Sequence, residues 1–171
     1  MYFIWAAMIA GCKAPTFSDE LAERKGHINF TIEFLQWIIG QSRFTFPAIT
    51  LGLVESCMIE QNDYYAAMLQ DLKQELQEIL GNDGILLFPS HPTCAPHHNE
   101  PLFKPFNFTY SGIFNVLGFP VTEVPMGLGS EKLPLGVQVV ATPLNDRITL
   151  AVAVELEKVF GGWIPSSPVQ E

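Results

Sequence analysis

The chain has 171 residues, 48% of them apolar and only 16% charged, with nine Lys and Arg against eighteen Asp and Glu for a net charge of −9. That apolar content excludes a disordered chain, whose signature is low hydrophobicity with high charge. The acidic balance argues against a nucleic-acid partner, because binding a phosphate backbone needs a Lys/Arg stripe.

Taken in chain order, Tyr2 to Cys12 is apolar, and Ile9-Ala10-Gly11-Cys12 has the look of a lipoprotein cleavage box. No Lys or Arg precedes Lys13, so the basic n-region of a signal is absent. The run also falls short of the roughly 20 residues needed to span a bilayer. It reads instead as a buried helix or strand. Ile28 to Ile39 is mostly apolar, broken by Glu33 and Gln36, and Gly40 closes it as a helix. Pro47 marks the start of another. Over Asn62–Leu80 the residues Tyr65, Leu69, Leu72, Leu76, Ile79 and Leu80 recur at three- and four-residue steps, predicting an amphipathic helix with one apolar stripe. Gly84 to Pro89 is a continuous apolar run and predicts a fully buried strand. A Pro-rich loop follows to Pro105. A helix is expected over Asn107–Leu117, strands over Val121–Pro125 and Leu135–Ala141, and a last helix over Ile148–Phe160 with Asp146 as its N-cap. Residues 1–80 thus read as mainly helical and 84–163 as mixed, an α/β order with a mixed sheet flanked by helices. Thirteen Phe and sparse charge suggest a piece of a larger, more buried body.

The three cysteines, Cys12, Cys57 and Cys94, are too few and too widely spaced for a disulfide framework, so a reducing, intracellular compartment is the simpler reading. Two sequons, Asn29-Phe30-Thr31 and Asn107-Phe108-Thr109, mean little without a secretion signal.

Chemistry-bearing residues are scattered. His91, Cys94, His97 and His98 share one loop and are zinc-ligand types, but no second Cys/His element completes four ligands, so they read as polar loop residues and no metal is expected. G-x-S-x-G, G-x-G-x-x-G and a P-loop are all absent. Ser90, Ser111 and Ser130 lack a Gly-rich setting, and Cys94 with His97 is the one nucleophile–base pair close in sequence. Glu75 with Glu78 and Glu155 with Glu157 read as solvated helix faces. No cofactor is implied. From residue chemistry alone this is an α/β chain with no complete catalytic set.

The run Phe108-Thr109-Tyr110-Ser111-Gly112-Ile113-Phe114-Asn115-Val116-Leu117-Gly118-Phe119-Pro120 adds a different kind of signal. It is followed by Val124-Pro125-Met126-Gly127, by Leu133-Pro134-Leu135-Gly136-Val137-Gln138, and by Asp146 ahead of a terminal helix. These ordered blocks resemble the C-terminal part of the amidase-signature family. Trp37-x-x-Gly40-Gln41-Ser42 and the ending Phe160-Gly161-Gly162-Trp163 resemble its type-2 fatty-acid amide hydrolase branch. The resemblance implies a partial amidase domain over residues 1–163, a tail over 164–171, and the C-terminal portion of that family's fold. The family cleaves amides with a Ser–cis-Ser–Lys triad in a Gly/Ser-rich context. No segment here matches it, so no catalytic residue carries over, and the chain is expected to be inactive alone. The family's aromatic-Thr helix borders an acyl channel. Phe108, Thr109, Gly112 and Val116, the last three on one helical face, are the expected substrate-binding wall for the acyl chain of a lipid amide. Gln138 is expected to be structural, bonding backbone groups. Membrane association is implied only by the likeness. Two alternatives stay open: a non-enzymatic lipid-binding or scaffold protein on that fold, and a stand-alone α/β interaction module.

Overall fold

A computed structural model describes residues 1–11, 15–56 and 63–166. Cys12, Cys57, Asn62 and most of the 164–171 tail lie outside the described residues, whereas Cys94 is a free thiol. The chain divides into two compact units, Ala6–Asn62 and Met1–Trp5 with Asp63–Glu171.

The apolar opening is a helix, α1 (Tyr2–Ala10), with Ala6 and Ala7 buried and Phe3 half exposed. The first unit continues with α2 (Phe17–Leu21), α3 (Phe30–Ile38) and α4 (Phe46–Ser56). Each start is chemically determined. Thr16 and Asp19 form a reciprocal capping box at α2: the Asp19 N–H donates to Thr16 Oγ1 at 3.1 Å and the Thr16 N–H to Asp19 Oδ2 at 3.0 Å. That bonding holds the Asp19 carboxyl below its ordinary range, the Thr16 hydroxyl being the largest cause. Glu55 of α4 accepts the Phe17 N–H at 2.8 Å, so a carboxylate meets the positive end of α2. Asn29 caps α3 by accepting from the Thr31 and Ile32 N–H groups at 3.1 and 3.2 Å, so that helix begins later than the apolar run does. Ile49 is fully buried, and Phe30 lies so close to Gly52 that a Cβ there would collide with its ring.

The second unit opens with α5 (Asp63–Leu80), which buries Leu69 and Leu80 but leaves Ile79 78% exposed, outside the expected stripe. Then come β1 (Ile85–Pro89), a 3₁₀ turn at Glu100–Phe103, α6 (Thr109–Leu117), β2 (Val121–Leu128), β3 (Pro134–Ala141) and α7 (Asp146–Phe160). The strands lie in the order β1-β3-β2, antiparallel at both junctions, with Phe88 and Glu123 both opposite Gln138. The mixed sheet expected from the sequence is therefore antiparallel among the described residues. A short turn joins β2 directly to β3, which forces that pairing, and β1 joins the free side of β3 rather than lying beside β2.

The two faces of the sheet follow the strand alternation. Phe88 and Gln138 look toward α6, and Thr122 looks toward α7, donating to the buried Thr149 hydroxyl at 2.7 Å. Val139, Val140 and Ala141 of the central strand are fully buried. β1 is not the fully buried strand expected: none of its residues is buried and Leu87 is 49% exposed. It is an edge strand, and α7 covers β2 and β3 instead. β2 continues beyond Pro125 through an irregularity in register, tolerated because it is the other edge. The cap of α7 is Asn145, not Asp146. The Asn145 amide donates to Asn82 O and Thr142 Oγ1, and Asp146 is the first helical residue. No helix among the described residues is long and apolar enough to cross a membrane.

Candidate functional site

Helix α6 carries the residues expected to face an acyl chain. Its first turn is closed by the Thr109 hydroxyl, which donates to Phe106 O at 2.7 Å. Its end is set by Gly118 in the left-handed region (φ 69°), with the Phe119 N–H returning to Phe114 O at 3.2 Å. Gln138 anchors the helix to the sheet: its amide donates to Pro89 O at 3.0 Å and Tyr110 O at 3.3 Å, joining the end of β1 to the start of α6. The rings of Tyr110 and Phe114 pack on Phe88. The backbone-bonding role expected of Gln138 is the one it has.

The four wall residues differ in what they present. Thr109 and Gly112 are buried, Val116 is half-buried and Phe108 is 40% exposed. The Trp5 indole lies over Gly112, where an added Cβ would sit 3.0 Å from Trp5 Cδ1. The same indole meets Phe108 edge-on with ring centres 4.6 Å apart, and Tyr2 meets Phe106 likewise at 4.6 Å. The helical face is thus topped by an aromatic layer in which Phe108 is joined by Tyr2, Trp5 and Phe106, three residues the sequence reading did not include. The run of aromatics in the first five residues was its only sequence signal.

Among the described residues, the other chemistry-bearing side chains are dispersed. Ser111 and Ser130 are exposed, and the Ser111 hydroxyl donates back to Phe108 O at 3.1 Å. His91 Nδ1 is engaged with Thr93 in its own turn, and His97 and His98 are exposed. Lys104 donates to Glu100 at 2.5 Å and the His97 N–H to the same carboxylate at 3.0 Å; the lysine is the main reason the Glu100 carboxyl sits below its ordinary range. Among the described residues no group of three His, Cys, Asp or Glu is placed to hold a metal ion. Ser90 differs from Ser111 and Ser130, because its hydroxyl bonds the Glu123 carboxylate and both residues line a cleft.

Comparison with known proteins places this arrangement in context. The chain is 46% identical over 169 residues to fatty-acid amide hydrolase 2 of Homo sapiens, which covers 94% of this chain and 32% of that protein. It is 46% identical over 166 residues to fatty-acid amide hydrolase 2-A of Danio rerio, covering 94% of this chain and 31% of that one. A more distant relative is a glutamyl-tRNA(Gln) amidotransferase polypeptide of Zymomonas mobilis, 32% identical over 160 residues, 91% of this chain and 28% of that protein. The chain therefore spans about a third of the length of the hydrolases it matches. No family model matches it, and no solved structure matches it.

Proposed function

The chain is a homologue of the amidase-signature proteins, and on that premise we propose that it is the C-terminal portion of a lipid-amide hydrolase, contributing part of the acyl-chain wall but not the groups that break the bond. The observation that carries this reading is the 46% identity over 94% of the chain to a third of an enzyme named for fatty-acid amides. The attacking serine, its partner serine and the lysine come from elsewhere in the enzyme. The sequence has no Gly/Ser-rich block to supply them, and without nucleophile, base and oxyanion donors the barrier is not lowered. What this portion supplies is α6 and its aromatic layer. Phe108, with the surrounding rings, offers an apolar surface for an alkyl chain, Gly112 sets how closely the Trp5 indole packs on the helix, and Thr109 and Val116 complete the helical face.

Two experiments test this. The purified chain, incubated with a fluorophosphonate probe and with oleamide, should take up no label and release no fatty acid; labelling abolished by one serine substitution overturns the reading. A chimera, in which this chain replaces the matching third of the human relative, should hydrolyse oleamide. In that chimera Gly112→Phe forces Trp5 away from α6 and should raise KM for long-chain amides several-fold while leaving short-chain amides nearly unchanged. An equal loss for both substrates removes α6 from the acyl wall.

A further inference from the structure

A second site lies apart from α6. The loop after β1 closes one side of a cleft of about 550 Å³, within the roughly 300–1,000 Å³ range of small-molecule pockets. The cleft is mostly walled by prolines and apolar side chains, among them Leu135, but its lining includes Glu123. Glu123 is an exposed residue in an otherwise apolar and neutral strand, and its carboxylate has two close neighbours. The Ser90 hydroxyl donates to its two oxygens at 2.5 and 2.6 Å. The carboxylate also lies against Gly136, where a Cβ would push Oε1 aside. No Lys, Arg or His pairs with it among the described residues. The opposite contribution comes from the end of the chain. After α7, Gly161 (φ 82°) and Gly162 (φ 71°) take left-handed conformations that few other residues adopt, and the reversed chain places Trp163 on the cleft wall.

We propose that this cleft binds a small organic ammonium ion carrying a short alkyl group. A carboxylate held by Ser90 and without an ion-pair partner, in a cleft also lined by an indole and apolar side chains, suits a ligand with one positive end and one greasy end. A bare metal ion is disfavoured because a single carboxylate supplies too few ligands. An anion meets Glu123 and a chain of net charge −9. A neutral ligand strips water from the carboxylate and returns no partner. The site shares no residue with the proposed acyl wall, so it stands or falls apart from that reading.

The test is calorimetric titration of the full 171-residue chain with n-butylammonium and, in parallel, with 1-butanol. Butylammonium should bind, shift the NMR signal of the Trp163 indole N–H, and weaken as salt is raised, because the attraction is screened. Butanol should bind about tenfold more weakly or not at all, as expected when a hydrogen bond to a charged group is lost. Glu123→Gln, which keeps the side chain's shape, should cost about tenfold in butylammonium affinity, and Trp163→Ala about threefold. Equal binding of the alcohol and the ammonium, no movement of the Trp163 signal, or unchanged affinity in Glu123→Gln overturns the proposal. Should that variant fail to fold, the comparison of the two ligands on the unaltered chain decides.

Discussion

In the unit Ala6–Asn62, four large side chains of α3, Ile32, Leu35, Trp37 and Ile38, are 42–60% exposed, whereas Val139, Val140 and Ala141 of β3 show no exposed surface. The contrast follows from geometry. A helix buries only the stripe that its neighbours reach, and α3 turns Phe30 inward while most of its apolar residues find no cover. A central strand is flanked on both edges, and β3 also has α6 on one face and α7 on the other, so its Gln138–Ala141 half is enclosed whichever way the side chains point, while its Pro134–Gly136 end stays exposed. Similar apolar composition therefore produces a solid core in one region and an apolar surface in the other.

The largest expected effect separates the two regions directly. Leu117→Ala, at a side chain 1% exposed, should cost about 2–5 kcal/mol in urea unfolding followed by tryptophan fluorescence. Leu35→Ala, at a side chain 59% exposed, should stay within about 0.5 kcal/mol. Comparable losses at both positions would mean that α3 is covered in solution. A middle-sized effect is expected at Gln138. Gln138→Leu removes both hydrogen bonds that tie the end of β1 and the first turn of α6 to β3 and should cost about 1–3 kcal/mol, with the Tyr110 amide region of the NMR spectrum shifting first. The smallest effect is confined to the start of α2. The Asp19 carboxyl is lowered in the folded chain, so its cap is complete at neutral pH, above the unfolded value, and is lost as pH falls through the lowered folded value. Amide exchange at Thr16 and Asp19 should accelerate in strongly acidic solution while β3 stays protected. Asp19→Asn should abolish that acid dependence.

The elements with clear periodicity were legible in the sequence. The α5 stripe, the β2–β3 turn residues and the glycines after α6 and α7 place those elements to within a few residues. The state of β1 was not legible, because Gly84–Pro89 is equally apolar whether its strand ends up in the centre or at an edge, and only the pairing order decides. The α2 start carried a readable signal, Thr16-x-x-Asp19, in a short, mostly polar stretch with no apolar stripe to draw attention to it. The shared helical face of Thr109, Gly112 and Val116 was legible but the indole over it was not, since Trp5 and Gly112 are far apart in sequence. The cleft combines residues near 90, 123, 135 and 163, and no local pattern links them. Its one local sign was a glutamate between Thr122 and Val124 in a strand with no other charge.

The strand order also sets a timetable for a chain made from its N-terminus. β2 and β3 are joined by a tight turn and can zip together as soon as both are made, but β1 waits about fifty residues for the partner that pairs with it. At about 5–20 residues per second, that delay lasts seconds. Throughout it, five mostly apolar residues stand with their backbone groups unclaimed, and the nascent chain is then most open to capture by a chaperone or by another unfinished copy.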